Sequence, residues 1–330
     1  MQAIESSELS KMRELKVGKN DAGQRLDKFI TKALDIPMSL LYKSIRTKKI
    51  KLNRKRAEIS DKLCEGDTIQ CFLPDEFFDK KVTKNTFENV TPHLDIVYED
   101  DNIMLLNKRP GVSVHEDENG STNTLITHIQ AYLFGKGEYN PDDEQSFAPA
   151  LCNRIDRNTG GIVIAAKNAM ALRVMNEKIK KREIDKFYLA AVHGTPRPDS
   201  ATIKGFLKKD EKNNMVKVWE KDPKNGAKEI ITKYKVVAKS KDTSLLEVEL
   251  LTGRTHQIRA HMAFIGHPLV GDGKYGINRE DRQKGHKYQA LCSYKLRFNF
   301  DTSSPTELDY LNKKEFKIPK KDIYFTKEYF

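Results

Sequence analysis

The spacing of apolar runs in the second half of the chain constrains the fold most. Ile162-Val163-Ile164-Ala165-Ala166 is a short, uninterrupted apolar run and reads as a strand buried on both faces. An amphipathic helical pattern follows at 169–181 and then a strand at 187–192. Further strand-like runs lie at 230–238, 244–251 and 290–300, with one helix between the last two, starting near Thr255. Helices do not alternate regularly with these strands. That excludes a doubly wound parallel sheet and predicts an α+β fold with a mixed sheet. Upstream, two apolar runs flank Glu99-Asp100-Asp101-Asn102 and predict a β-hairpin. A helix is expected near 122–134 and a loop over 135–150. No repeat of fixed period is present.

The first segment has a different character. Leu26, Phe29, Ile30, Ala33 and Leu34 share one face of a predicted helix, and Pro37 interrupts it. Ser39 is expected to cap a second helix running to about Thr47. Short strands are expected at 50–52 and 68–73, separated by the turn Glu65-Gly66-Asp67. Residues 76–92 are charged and poorly periodic, so they are expected to link a domain at 1–75 to one at 93–330.

Composition narrows the functional classes. A hydrophobic fraction of 38% in 330 residues supports real cores and excludes wholesale disorder. No apolar run approaches the roughly 18 residues of a membrane-spanning helix. The first twenty residues have no apolar signal core, and four scattered cysteines without a C-x-x-C pair suggest neither disulfides nor a zinc ribbon. A reduced, cytoplasmic protein is expected. The formal charge of +12 points to a polyanionic partner. Residues 41–56 hold eight Lys or Arg and no acid, spanning a helix end, a turn and a strand. Such cations would neutralise phosphates with little sequence selectivity.

Two segments carry the chemistry. In Asn153-Arg154-Ile155-Asp156-Arg157-Asn158-Thr159-Gly160-Gly161, a carboxylate lies between two arginines. It is either a surface ion cluster or an ionised carboxylate held in a cleft as a nucleophile. No second carboxylate follows closely, so a glycosidase pair is not indicated. In Thr252-Gly253-Arg254-Thr255-His256-Gln257-Ile258-Arg259, Arg254 sits near a predicted helix N-terminus. A cation there opposes the macrodipole and calls for an anion, either a substrate phosphate or Asp156. His256 and His261 are five apart, unlike the i, i+4 spacing of H-E-x-x-H, so no metal site is expected. Gly271-Asp272-Gly273-Lys274-Tyr275-Gly276 lacks the Walker spacing, so no nucleotide cofactor is expected.

Together, IVYEDDNIMLLNKRPGVSVH, NRIDRNTGGIVIAAK, KREIDKFYLAAVHG and TGRTHQIRAHMAFIGHPLVGDGKYG resemble the RluA family of pseudouridine synthases. The resemblance covers about residues 93–300. The first domain resembles the small RNA-binding module of one small-subunit ribosomal protein and some tRNA synthetases. That likeness rests on G-x-R-L-D-x-F, SLLYKSIR and KIKLNRK.

These resemblances imply a largely antiparallel, bent mixed sheet flanked by helices, preceded by a small α/β RNA-binding domain. They imply isomerisation of uridine in RNA without cofactor or metal, by a monomer. Ribosomal RNA of the large subunit is the first expected target and transfer RNA the second; a catalytically dead RNA-binding protein is the alternative. Asp156 takes the place of the family aspartate, Tyr188 that of the K-x-Y tyrosine and Arg254 that of the motif's basic residue. Arg154, Arg157, Thr159, His256 and Arg259 fall at substrate-side positions, and Arg25, Lys43, Arg46 and Lys48 would face RNA. The chain departs from the family at Asn153, where His is usual, at Gly160, where Ser is usual, and at Cys292-Ser293, where His-Ala is usual.

Overall fold

The computed structural model describes residues 12–78, 87–115, 123–210, 212–276 and 278–329, so 79–86 of the expected linker lie outside the described residues. The chain divides into two compact units. Unit 1 takes in residues up to Val90 together with Gln130–Pro149 and Asn168–Met170; unit 2 holds Thr91–Ile129, Ala150–Lys167 and Ala171–Phe330. The expected second domain at 93–330 therefore gives two internal stretches to the first unit.

In unit 1, a four-stranded antiparallel sheet has the order β1-β4-β2-β3, from β1 (Arg13–Lys16), β2 (Ile50–Leu52), β3 (Lys55–Arg56) and β4 (Thr68–Cys71). Helices α1 (Leu26–Ala33) and α2 (Met38–Arg46) contribute Leu26, Phe29, Ile30, Leu41 and Ile45 to a core with Ile50 and Ile69. Those α1 positions recur at helical spacing, which is why the short segment folds as a helix. Ser39 does not cap α2. Pro37 stands at the cap, its carbonyl accepting Leu41 N at 2.9 Å, and no side chain supplies a cap bond. Proline's fixed φ already suits a helix start, so Ser39 is drawn into the first turn.

Unit 2 is built on an eleven-stranded mixed sheet, ordered β11-β10-β12-β13-β9-β14-β8-β6-β5, with β15 beside β14 and β7 beside β8. The strands are β5 (Ile96–Glu99), β6 (Ile103–Lys108), β7 (Ala150–Leu151), β8 (Gly160–Ala166) and β9 (Ile184–His193). They continue as β10 (Ser200–Asp210), β11 (Met215–Trp219), β12 (Lys228–Lys239), β13 (Thr243–Leu250), β14 (Leu291–Phe298) and β15 (Glu315–Lys317). Only β8 and β14 pair in parallel; every other ladder of the sheet is antiparallel. The predicted hairpin is β5–β6. In its second strand Ile103–Leu106 and Lys108 are buried, and the neighbouring apolar run Ile162–Ala166 is wholly buried.

Helix α3 (Leu125–Gly135) spans both units, and the first residues of α4 (Ala169–Lys180) belong to unit 1. Helices α5 (Gln257–Phe264) and α6 (Asn278–Gln283) lie in unit 2. Strands β1, β10, β11 and β15 were not legible as apolar runs. Among the described residues no helix is long and apolar enough to cross a membrane.

Candidate active site

Asp156 lies in the turn that leads into β8, its carbonyl accepting Thr159 N at 3.0 Å. The turn can enter the sheet only through Gly161. Its φ is +112°, and a Cβ there would stand 2.3 Å from Ser293 O and 2.5 Å from Ser293 N. Glycine alone permits that close parallel approach of β8 to β14. Ser293 in turn is directly opposite Tyr188 in the β14–β9 ladder, so the Asp156 turn, Ser293 and Tyr188 are brought together by backbone register.

Lys108, at the end of β6, fixes the other side of the turn. Its buried ammonium donates to the carbonyls of Arg109 at 3.1 Å, Val112 at 2.9 Å and Arg157 at 2.9 Å. Three N–H donors meet three acceptors, so the ammonium is satisfied. Burial pushes its pKa down to about 8, opposed by the charges of Asp156 and Cys292. Gly111 N also donates to Arg157 O, at 2.9 Å.

The partner of Asp156 is Arg259. From α5, its Nη1 donates to Asp156 Oδ2 at 2.8 Å. Its Nε and Nη2 form a fork on Asp272, at 2.7 and 2.8 Å. Asp272 is fully buried, and it also accepts Lys274 N at 2.9 Å and Tyr275 N at 3.2 Å. Burial raises the Asp272 pKa, but the Arg259 fork and these backbone donors outweigh it and hold the group below its ordinary value. Burial likewise opposes the charge on Arg259, and the two carboxylates overcome it, leaving the guanidinium still harder to deprotonate.

The expectation that Arg254 pairs with Asp156 is therefore corrected. Arg254 is exposed, and its guanidinium bonds no carboxylate among the described residues. The physical reason is the local fold of T-G-R-T-H-Q. Gln257 Oε1 accepts Arg254 N at 3.1 Å and Thr252 Oγ1 at 2.9 Å, while its Nε2 donates to Ile231 O at 3.1 Å and to Thr232 Oγ1 at 3.0 Å. Gln257 so ties the turn to β12. His256 takes a left-handed φ of 54°, and the helix starts only at Gln257. Arg259 is then on the inward side of the first helical turn and Arg254 is left outside.

His256 completes the cluster. Its Nδ1 bonds Tyr275 OH at 3.0 Å, and its Nε2 stands 3.8 Å from Asp156 Oδ2. Burial lowers its pKa, helped by Arg259 and Lys274 and opposed by Asp156. Tyr275 OH also accepts Val216 N at 2.8 Å, and the Arg259 guanidinium lies 5.3 Å from the centre of the Tyr275 ring.

Tyr188 is buried, and burial pushes its phenol up to about 12; the charges of Asp156 and Cys292 act the same way and the Ser293 hydroxyl acts against them. Arg154 is exposed, and its charge adds to burial in lowering the pKa of His115. Arg157 is exposed too, but its Nε donates to Gly111 O at 3.1 Å. Thr159 is not placed for a substrate: it is buried, and its hydroxyl accepts Gln289 Nε2 at 3.1 Å. Asn153, where the family usually has His, accepts Ile164 N at 2.8 Å and so shapes the turn.

In unit 1, Lys43, Arg46 and Lys48 are exposed. Arg25 is exposed but not free, because its Nε and Nη2 grip buried Asp27 at 3.1 and 3.0 Å. Sequence reasoning missed Asp272, Tyr275 and Lys108. The only signal for Asp272 was an acid inside a glycine-rich loop close after a basic helix. Among the described residues no group of three or more His, Cys, Asp or Glu side chains is arranged to hold a metal ion.

A carboxylate held by one guanidinium beside a buried tyrosine can serve as an acid, a base or a nucleophile. The family model for RNA pseudouridylate synthase matches residues 102–264. The ribosomal large subunit pseudouridine synthase C of Vibrio parahaemolyticus is 34% identical over 270 residues, 80% of each chain. The protein of the same description from Vibrio vulnificus is 32% identical over 310 residues, covering 91% of this chain and 93% of that one. An uncharacterised RNA pseudouridine synthase of Mycoplasma genitalium is 34% identical over 293 residues, with coverage of 86% and 88%. The solved structure of human RNA pseudouridylate synthase domain containing 1 shares the fold, with a TM-score of 0.54 at 23% identity over 71% of this chain and 84% of that chain. The chain belongs to the RNA pseudouridylate synthase family.

Proposed function

We propose that this protein converts uridine to pseudouridine in large-subunit ribosomal RNA, with Asp156 as the catalytic group. The Asp156–Arg259–Asp272 ion cluster beside Tyr188 is the observation that carries the reading. The relatives from Vibrio, named for the large ribosomal subunit, supply the substrate class.

A uracil stacked in a helix hides its ring, so the target is unpaired or is extruded at a cost of a few kcal/mol. Arg259 fixes Oδ2 of Asp156, while Oδ1 accepts no hydrogen bond among the described residues and is open to the ribose. Asp156 acts there, by attack at C1′ or by assisting a glycal-type intermediate. The N1–C1′ bond breaks, the base turns, C1′ joins C5, the C5 proton leaves and N1 gains one. Tyr188 packs against the uracil and takes part in C5 proton removal, directly or through water. His256, with a depressed pKa, is a neutral neighbour of that reaction. Lys43, Arg46 and Lys48 supply phosphate contacts that add affinity with little sequence choice.

The test incubates wild-type and Asp156→Asn protein with total ribosomal RNA and maps pseudouridine by carbodiimide-dependent reverse-transcription stops. Wild type is expected to create stops, while Asp156→Asn creates none and keeps RNA affinity within about tenfold. Turnover by the variant would sink the assignment of Asp156. Stops confined to transfer RNA would overturn the ribosomal substrate.

A further inference from the structure

Strands β10 and β11 form a hairpin at the edge of the large sheet, and its two faces differ in chemistry. One face carries Leu207, Val216 and Val218, which join Ile230 and Ala260 of α5 in a buried core. The strand period places Phe206, Lys208, Lys217 and Trp219 on the other face. There Phe206 stands opposite Trp219, and Lys208 directly opposite Lys217. Both lysines are exposed and both rings are half-buried. Lys204 continues the row, opposite Ile231 of β12.

The charge on this face is unexplained by folding. Like charges opposed across a ladder destabilise it, yet the hairpin sets Lys208 against Lys217. Lys217 lies over the Trp219 ring, 5.4 Å from its centre, and Lys208 donates only to the Asn225 carbonyl, at 2.6 Å. Two acids share this face in register: Glu229, opposite Phe206, and Asp210, opposite Met215, whose carboxylate accepts Lys212 N at 3.0 Å and Asn213 Nδ2 at 2.7 Å; Lys233 further along β12 is already paired with Glu249 at 3.0 Å. A row of cations beside two accessible rings is the arrangement that takes phosphates and stacks bases of unpaired nucleic acid.

We infer that this face of the β10–β11 hairpin is a second RNA-binding surface, taking a single-stranded segment of the substrate RNA with a base stacked on Trp219 and phosphates on Lys208 and Lys217. The inference rests on the reading that the chain acts on RNA. The partner it selects is a flexible polyanion with aromatic bases, because an acidic peptide would satisfy the lysines and leave the rings unused. The hairpin is also anchored to the Asp156 cluster, through Val216 N on Tyr275 OH at 2.8 Å and Lys274 Nζ on Asn214 O at 2.7 Å. RNA held there is thus attached to the element that borders the site.

Trp219 is the only tryptophan in the chain, so its emission reports this face without any label. Full-length wild type is titrated with ribosomal RNA fragments while filter binding follows the complex. Saturable quenching of Trp219, with the midpoint of filter binding, is expected. Trp219→Ala should weaken binding about fivefold to a hundredfold, which is the range of one lost base stack. Lys208→Ala/Lys217→Ala should lower the slope of log affinity against log salt by about 1.4 to 1.8. Its melting temperature should stay near that of wild type, because relief of the like-charge pair offsets the lost Lys208 bond to Asn225 and the lost Lys217–Trp219 contact. RNA bound with unchanged Trp219 emission, or a double variant with the wild-type salt slope, would overturn the proposal. Pseudouridine formation by wild type in the same samples separates the two claims: product without quenching discards this surface and keeps the enzyme reading, and no product in any RNA discards that reading while the binding data still judge the surface.

Discussion

Arg259 holds two carboxylates with one planar fork, and its geometry sets the first predictions. Arg259→Lys keeps the charge but cannot bond Asp156 and both oxygens of Asp272 together. We expect about a 10²-fold fall in kcat from the misplaced Asp156, with a folded protein by thermal melt. Arg259→Ala leaves Asp272 buried and uncompensated, at a cost of about 3–5 kcal/mol in chemical denaturation. A fully active Arg259→Lys enzyme would dissociate the pair from catalysis. Arg254→Ala should leave both the melt and kcat intact and raise KM, because the exposed Arg254 touches no member of the cluster. At this scale the sequence pointed to Asp156 and Tyr188 through family motifs, but not to the right arginine. G-R-T-H-Q-I-R offers two, and the choice turns on the left-handed His256 and the Gln257 ties to β12, which are tertiary facts.

Helix α5 is joined to the sheet by a buried titratable group. His261 is almost fully buried, and its Nδ1 shares a hydrogen bond with Thr232 Oγ1 of β12 at 3.0 Å. Burial pushes its pKa down to about 4, against a backbone hydrogen bond with Lys204 that acts in the opposite direction. The folded state thus binds fewer protons than the unfolded state between about pH 4 and 6.5, and stability must fall as pH drops through that window. The loss from this group is about 3 kcal/mol. His261→Gln should flatten this part of the curve in urea denaturation at pH 4 and 6.5; an unaltered curve would place the acid sensitivity elsewhere. Apolar periodicity made β6, β8, β9, β12, β13 and β14 legible, since each buries a continuous or alternating face. It hid β10, where Gly205 and the adjacent exposed Lys208 and Lys209 interrupt the apolar alternation, and β11, whose alternation of Val216 and Val218 around Lys217 spans only five residues. Those strands are held by cross-strand pairing and by packing on α5, which no local window contains.

The full chain carries a net charge of +12, and among unit 1's exposed cations Lys43, Arg46, Lys48 and Lys49 lie in and just after α2. Replacing Lys43, Arg46 and Lys48 together by Ala in the full chain should reduce the salt slope of RNA binding by about 2 to 3, with pseudouridine still formed at saturating RNA. A slope equal to wild type would remove unit 1 from the RNA contact. Two units could be expected from the charged, poorly periodic stretch at 76–92. Their boundary could not, because Gln130–Pro149 and Asn168–Met170 return to unit 1 from deep within the second half. The buried Lys108 ammonium, shared by three carbonyls, has one more consequence. Burial lowers its pKa to about 8, so around that pH the deprotonated, nucleophilic amine is populated, with two N–H donors left for the three carbonyls. No acylating reagent can reach it while the fold is closed, so its labelling rate, read peptide by peptide in a mass spectrometer, becomes a stopwatch for how often the chain loosens around Asp156.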